Sequence, residues 1–174
     1  MPWPPPIAPA DVAVAALVGA ALVTDLRSQR VPNLLTFGGM ALGIAANTWS
    51  GDPRTGWIGV ALAFALMFPA WRLGGAVRAG DVKLLMAVGA FYGGGEVVRA
   101  CLLTYLLSLP FGLTVLAVKG RLGNLAQAVR RGLGRAMGSD SPEPELTLVA
   151  FVPVIAAAVL LTRITPWLSW VVGR

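Results

Sequence analysis

The sequence predicts an all-α, polytopic membrane protein with six transmembrane helices. Three observations carry that expectation. Hydrophobic residues make up 56% of the chain and charged residues 13%. The mean hydropathy is +0.73. The apolar runs are cut by clusters of charge, proline and glycine whose spacing suits short loops. Such a composition belongs to the membrane class rather than the globular one. A helix crossing ~30 Å of hydrocarbon needs about 20 residues. About five to seven spans therefore consume the 174 residues as one membrane domain over 1–174, with no room for a soluble one.

Taken in order, the first apolar run, VAVAALVGAALVT, reads as a permanent span over Ala10–Thr24. The segment before it, MPWPPPIAPAD, lacks the basic region and small-residue cleavage site of a secretory signal. Asp11 can cap its start. DLRSQRVPN ends it, with Pro32 fixing the turn and Asn33 placed to cap a second helix, Leu34–Asn47. The third helix, Trp57–Leu73, carries Trp57 and Trp71 near its two ends, which suits interfacial aromatic belts. The fourth, Asp81–Tyr92, is short and stops at Gly93–Gly95. The fifth, Val97–Val118, contains Pro110, where a kink is expected. The sixth is Leu146–Thr162. Between the last two lies a loop, 119–145, in which Leu122, Leu125, Val129, Leu133 and Met137 recur at spacings of three or four beside arginines. That pattern fits an amphipathic helix on an anionic membrane surface, with a solvated basic loop as the alternative. No internal repeat is evident.

Basic loops are retained in the cytoplasm, so the arginines and lysines orient this layout. One side collects Arg27, Arg30, Arg72, Arg78, Lys83, Lys119, Arg121, Arg130, Arg131 and Arg135; the other has Arg54, Arg99, Arg163 and Arg174. Both termini then face outward, and DLRSQRVPN and the 119–145 loop face the cytoplasm.

The chain has no histidine and one cysteine, Cys101, inside an apolar run. This excludes an internal disulfide and zinc sites built on paired cysteines. No metal, cofactor or nucleic-acid partner is expected. Of the eight acidic residues, only Asp25 and Asp81 are attached to spans on the inner side. From Ala10 to Asp25 is ~22 Å of helix, which puts Asp25 near the inner boundary. The short fourth helix, anchored outside by its glycines, holds Asp81 at a similar or greater depth. One reading makes both aspartates interfacial, Asp25 paired with Arg27 or Arg30 and Asp81 with Arg78 or Lys83. The other is a catalytic dyad. Two adjacent aspartates cannot both ionise, so they share a proton, one acting on water as base while the neutral partner polarises a carbonyl. Gly80 permits close approach beside Asp81, and Pro32 with Asn33 shapes the turn after Asp25.

At these residues the chain resembles the prepilin peptidase family of membrane aspartic peptidases, in the short form similar to Flp/Tad pilus-type enzymes. The family's Asp-x-Arg-x-x-x-Ile/Val-Pro-Asn stretch is matched by DLRSQRVPN, Asp25 to Asn33. Its Gly-x-Gly-Asp-x-Lys motif is matched by RAGDVK, Arg78 to Lys83, except that Arg78 replaces the first glycine. The resemblance implies cleavage of the basic leader of type IV prepilins or pseudopilins at the cytoplasmic face of the bacterial inner membrane. Asp25 and Asp81 map onto the catalytic pair, with Arg27, Pro32, Asn33, Arg78, Gly80 and Lys83 as site-supporting or substrate-binding residues. The cysteine-paired segment that accompanies N-methyltransferase activity in larger members is not in this sequence, so peptidase activity alone is expected. Because the inner face is itself basic, substrate recognition is expected through the apolar substrate helix and anionic lipid. Two alternatives stay open on the residues: a non-catalytic homologue in pilus assembly, and a small ion- or proton-coupled transporter using the two acids. The oligomeric state is not legible.

Overall fold

The computed structural model describes residues 8–74, 77–118 and 151–164, and every regular element among them is helical. Helix α1 spans Pro9–Ser28, with proline in its first turn and Asp11 accepting the Ala8 N–H at 2.8 Å. That carboxylate also meets the positive end of the helix dipole. The helix closes at Gln29, in the left-handed region at φ 51°, whose N–H donates to the Asp25 carbonyl. It thus runs about one turn past the predicted end at Thr24. Leu26 and Arg27 are good helix formers, and no breaker intervenes before Pro32. Asp25 consequently lies inside the last turn of α1 rather than beyond it.

Helix α2, Asn33–Trp49, starts behind Pro32, which occupies the cap position without a side-chain capping bond. The cap expected from Asn33 is not formed, because proline's preset φ already turns the chain and places Asn33 first in the helix. Helix α3, Pro53–Pro69, runs on into a π-helical turn, Ala70–Gly74. Pro69 has no N–H to give the preceding turn, and the Ala70 N–H donates to Met67 O. The Leu66 carbonyl instead accepts the Tyr105 hydroxyl at 2.5 Å.

Helix α4, Ala79–Val118, is two limbs joined across Gly93, at φ 79° and ψ −172°. Only glycine adopts those angles readily. The predicted fourth and fifth helices are these two limbs, and the break falls where the fourth was expected to stop. Backbone angles at Pro110 stay helical. Proline keeps a helix-compatible φ, so the helix continues through it, although its ring crowds the preceding turn and removes one hydrogen bond. The Asn47 side chain donates to Ala90 O at 2.8 Å and Phe91 O at 3.3 Å, satisfying carbonyls at the end of the first limb.

Helix α5, Val152–Ile164, corresponds to the predicted sixth helix. Residues 146–150 of that prediction lie outside the described residues, as does the 119–145 loop with its expected amphipathic helix. Among the described residues, three helices are long and apolar enough to cross a membrane: Pro9–Ser28, Pro53–Arg72 and Ala79–Phe111.

The first limb of α4 is the centre of the bundle, with Leu84, Leu85, Ala87, Val88 and Ala90 fully buried. Its contact with α3 is backbone against backbone. A Cβ at Gly59 would stand 1.9 Å from the Gly89 carbonyl oxygen. By contrast Leu34, Leu42, Trp49, Trp57, Leu106 and Leu109 are exposed, an apolar outer surface of the kind that faces lipid rather than water.

Candidate active site

Asp25 and Asp81 are each 3% exposed, and three elements bring them together. Asp25 comes from the last turn of α1, where the negative helix end disfavours a carboxylate. Two features offset that. The N-terminus of α5 abuts it, the Val152 N–H donating to Asp25 Oδ2 at 3.2 Å. The Arg78 guanidinium lies 4.0 Å from Asp25 Oδ1.

Asp81 sits in the first turn of α4. Its Oδ2 accepts the Arg78 backbone N–H at 2.9 Å, the carboxylate half of a capping box. The same residue thus serves both aspartates, by its backbone at one and by its side chain at the other. Arg78 Nη1 also donates to the Gln29 carbonyl at 2.5 Å, fastening the start of α4 to the end of α1. Asp25 and Asp81 are close enough to act on each other electrostatically.

The two quoted motifs interlock at further points. Lys83 Nζ donates to Asn33 Oδ1 at 2.9 Å and lies 5.0 Å from the Phe37 ring centroid. Gly80 faces Val31. A Cβ built there would meet the Val31 Cβ at 3.5 Å, an ordinary contact, so an alanine would fit without a clash. Arg27 and Pro32 are exposed. The cation placed against Asp25 is Arg78, not Arg27 or Arg30 as the interfacial reading had it, and Lys83 is engaged by Asn33 rather than by Asp81.

Chemically, the site offers two buried carboxylates against one nearby guanidinium. A single proton shared by the carboxylates leaves this cluster neutral, the state that burial favours. One carboxylate is then free to accept a proton and the other holds one to give. The model of the type IV leader peptidase family matches residues 12–116, more than half of the chain. The chain belongs to the type IV leader peptidase family. No curated protein and no solved structure matches it significantly. Asp25, Asn33, Arg78, Asp81 and Lys83 all fall within the family match.

Val152 lies beyond that match and was not singled out in the sequence, yet it supplies a hydrogen bond to Asp25. Its signal was Pro153 in the run FVPV. Proline in a first turn marks a helix start, and α5 does begin there. The Gln29 carbonyl had no comparable signal, since any residue carries one.

Proposed function

We propose that this membrane peptidase is an aspartic endopeptidase that removes the basic leader of type IV prepilins or pseudopilins. Asp25 and Asp81 activate a water between them: one takes its proton as the oxygen bonds the scissile carbonyl carbon, and the other protonates the carbonyl oxygen. No cofactor enters the reaction. The observation that carries this reading is the meeting of two nearly inaccessible carboxylates, from α1 and α4, around Arg78.

In this proposal the chain spans the inner membrane six times with both termini outside, following the asymmetry of its basic residues. The dyad then opens to the cytoplasm, where a basic leader waits. The substrate's apolar helix docks against the exposed apolar flanks of the bundle, and anionic lipid holds the basic partners at the surface. Peptidase activity comes without N-methylation.

The test is cleavage of a purified prepilin by the chain reconstituted in anionic vesicles. The expected products are a basic leader and a mature pilin with an unmodified N-terminus, identified by mass. Proton or cation flux that depends on both aspartates, with an intact prepilin, would support a transporter instead.

A further inference from the structure

Arg78 stands where the resembling motif has glycine, so its side chain is an addition whose purpose the motif leaves unexplained. Hydrogen bonding alone does not separate the two aspartates: each accepts one backbone N–H at a helix N-terminus, Asp25 from Val152 and Asp81 from Arg78. The guanidinium contacts them unequally: it forms an ion pair with Asp25, while its charge reaches Asp81 without one among the described residues. Its Nη1 is anchored by the Gln29 carbonyl and lies 4.0 Å from Asp25 Oδ1. Its Nη2 is buried without a hydrogen-bond partner among the described residues.

We infer that Arg78 is a positioning residue that divides the work of the dyad, holding Asp25 as the charged base while Asp81 carries the proton. This rests on the aspartic peptidase reading and deepens it. Charge accounting supports the assignment, since Asp25 ionised, Arg78 protonated and Asp81 neutral sum to zero in a buried cluster. Among the described residues no other cation contacts Asp25. From its own helix Arg27 is exposed, Arg30 in the following turn is exposed, and Lys83 of α4 is held by Asn33. The group facing it from α5 is the Val152 N–H.

The proton movements then balance. Asp25 takes a proton from water as the water oxygen bonds the carbonyl carbon, and Asp81 gives its proton to the carbonyl oxygen. When the C–N bond breaks, the proton on Asp25 passes to the departing amine, and Asp81 recovers one from a hydroxyl of the diol. Each aspartate ends as it began.

Substitution at Arg78 isolates the side chain, because the backbone N–H to Asp81 survives it. The experiment is the pH profile of kcat/KM for prepilin cleavage by the wild type, Arg78→Gln, Arg78→Gly and Arg78→Lys. The inference predicts that the ionised form of the base is less favoured once the positive charge beside it is removed. The acidic limb is expected to move upward by about one pH unit or more in the Gln and Gly variants and to stay near the wild-type position in Lys. An acidic limb that stays in place in a folded Gln or Gly variant overturns the inference. So does loss of cooperative thermal unfolding in both neutral variants, which would make Arg78 a structural residue. Cleavage surviving in Asp25→Asn is a separate result that defeats the aspartic reading itself.

Discussion

The two ends of the bundle are built from the same helices and spend their charges differently. At one end α1, α4 and α5 bring together Asp25, Asp81, Arg78 and the Val152 N–H. At the other, the start of α1 and the end of α5 are tied by Arg163 donating to Asp11 Oδ2 at 2.7 Å, with the guanidinium 5.9 Å from the Tyr92 ring centroid. Glu96 and Arg99 of α4 form a second pair. There, each carboxylate has an arginine of its own. At the dyad end, among the described residues, two carboxylates meet one arginine. A matched pair is a fastening, whereas a surplus carboxylate needs a proton, and a proton that must be shared can be moved. On the proposed function, the acid–base capacity lies in the imbalance and not in the number of buried charges.

The largest expected effect breaks the unbalanced end. Asp25→Asn and Asp81→Asn should each lower prepilin cleavage by at least about 10³-fold while leaving thermal unfolding nearly unchanged, since an amide fills the same space. Cleavage kinetics beside a melting curve reads both. Next, Gly59→Ala strikes the seam that holds both ends in register. Its methyl would press on the Gly89 carbonyl oxygen, 1.9 Å away, and the expected cost is several kcal/mol in stability, about 3 or more, read by denaturation in detergent. A smaller effect belongs to the balanced end. Asp11→Asn or Arg163→Gln should cost about 1–2 kcal/mol of stability and leave kcat/KM within about twofold, because the pair is partly exposed and remote from the dyad. A large loss of activity there would erase the contrast between the ends.

The smallest effect lies in the turn before α3. The Thr55 hydroxyl donates to the Asp52 carboxylate and holds its pKa below the ordinary carboxylate value. A depressed folded value would contribute stability above it that is lost as pH falls through it, but on a fully exposed carboxylate solvent screening leaves that contribution too small to read. Thr55→Val should therefore move the Asp52 titration upward, toward the ordinary value, with no measurable change in unfolding. Carboxyl NMR during an acid titration checks the shift.

Much of this was legible in the sequence. Gly93 at the end of VKLLMAVGAFY marked the break in α4, because glycine and hydropathy changed together. The pairing of DLRSQRVPN with RAGDVK was legible as two acids at one depth. The end of α1 was not, since charge suggests a stop, whereas the helix tolerates Asp25, Leu26 and Arg27 in its last turn. Asn33 misled in a similar way: its cap propensity is real, but Pro32 had already made the turn and its amide oxygen was left for Lys83. The Val152 N–H could not be read at all as a partner of Asp25. The two are 127 residues apart, and a backbone donor leaves no mark in composition. For Arg78 the residue was visible, but which aspartate its side chain would face depends on how α4 begins against α1.

The central claim, that Asp25 and Asp81 act as one proton-sharing unit, is tested most directly by cleavage rates of the two Asn variants and of the double variant in the same vesicles. If the two work as a unit, the Asp25→Asn/Asp81→Asn double variant falls no further than the weaker single variant. Losses that multiply in the double variant, or near-normal cleavage by either single variant, would contradict it.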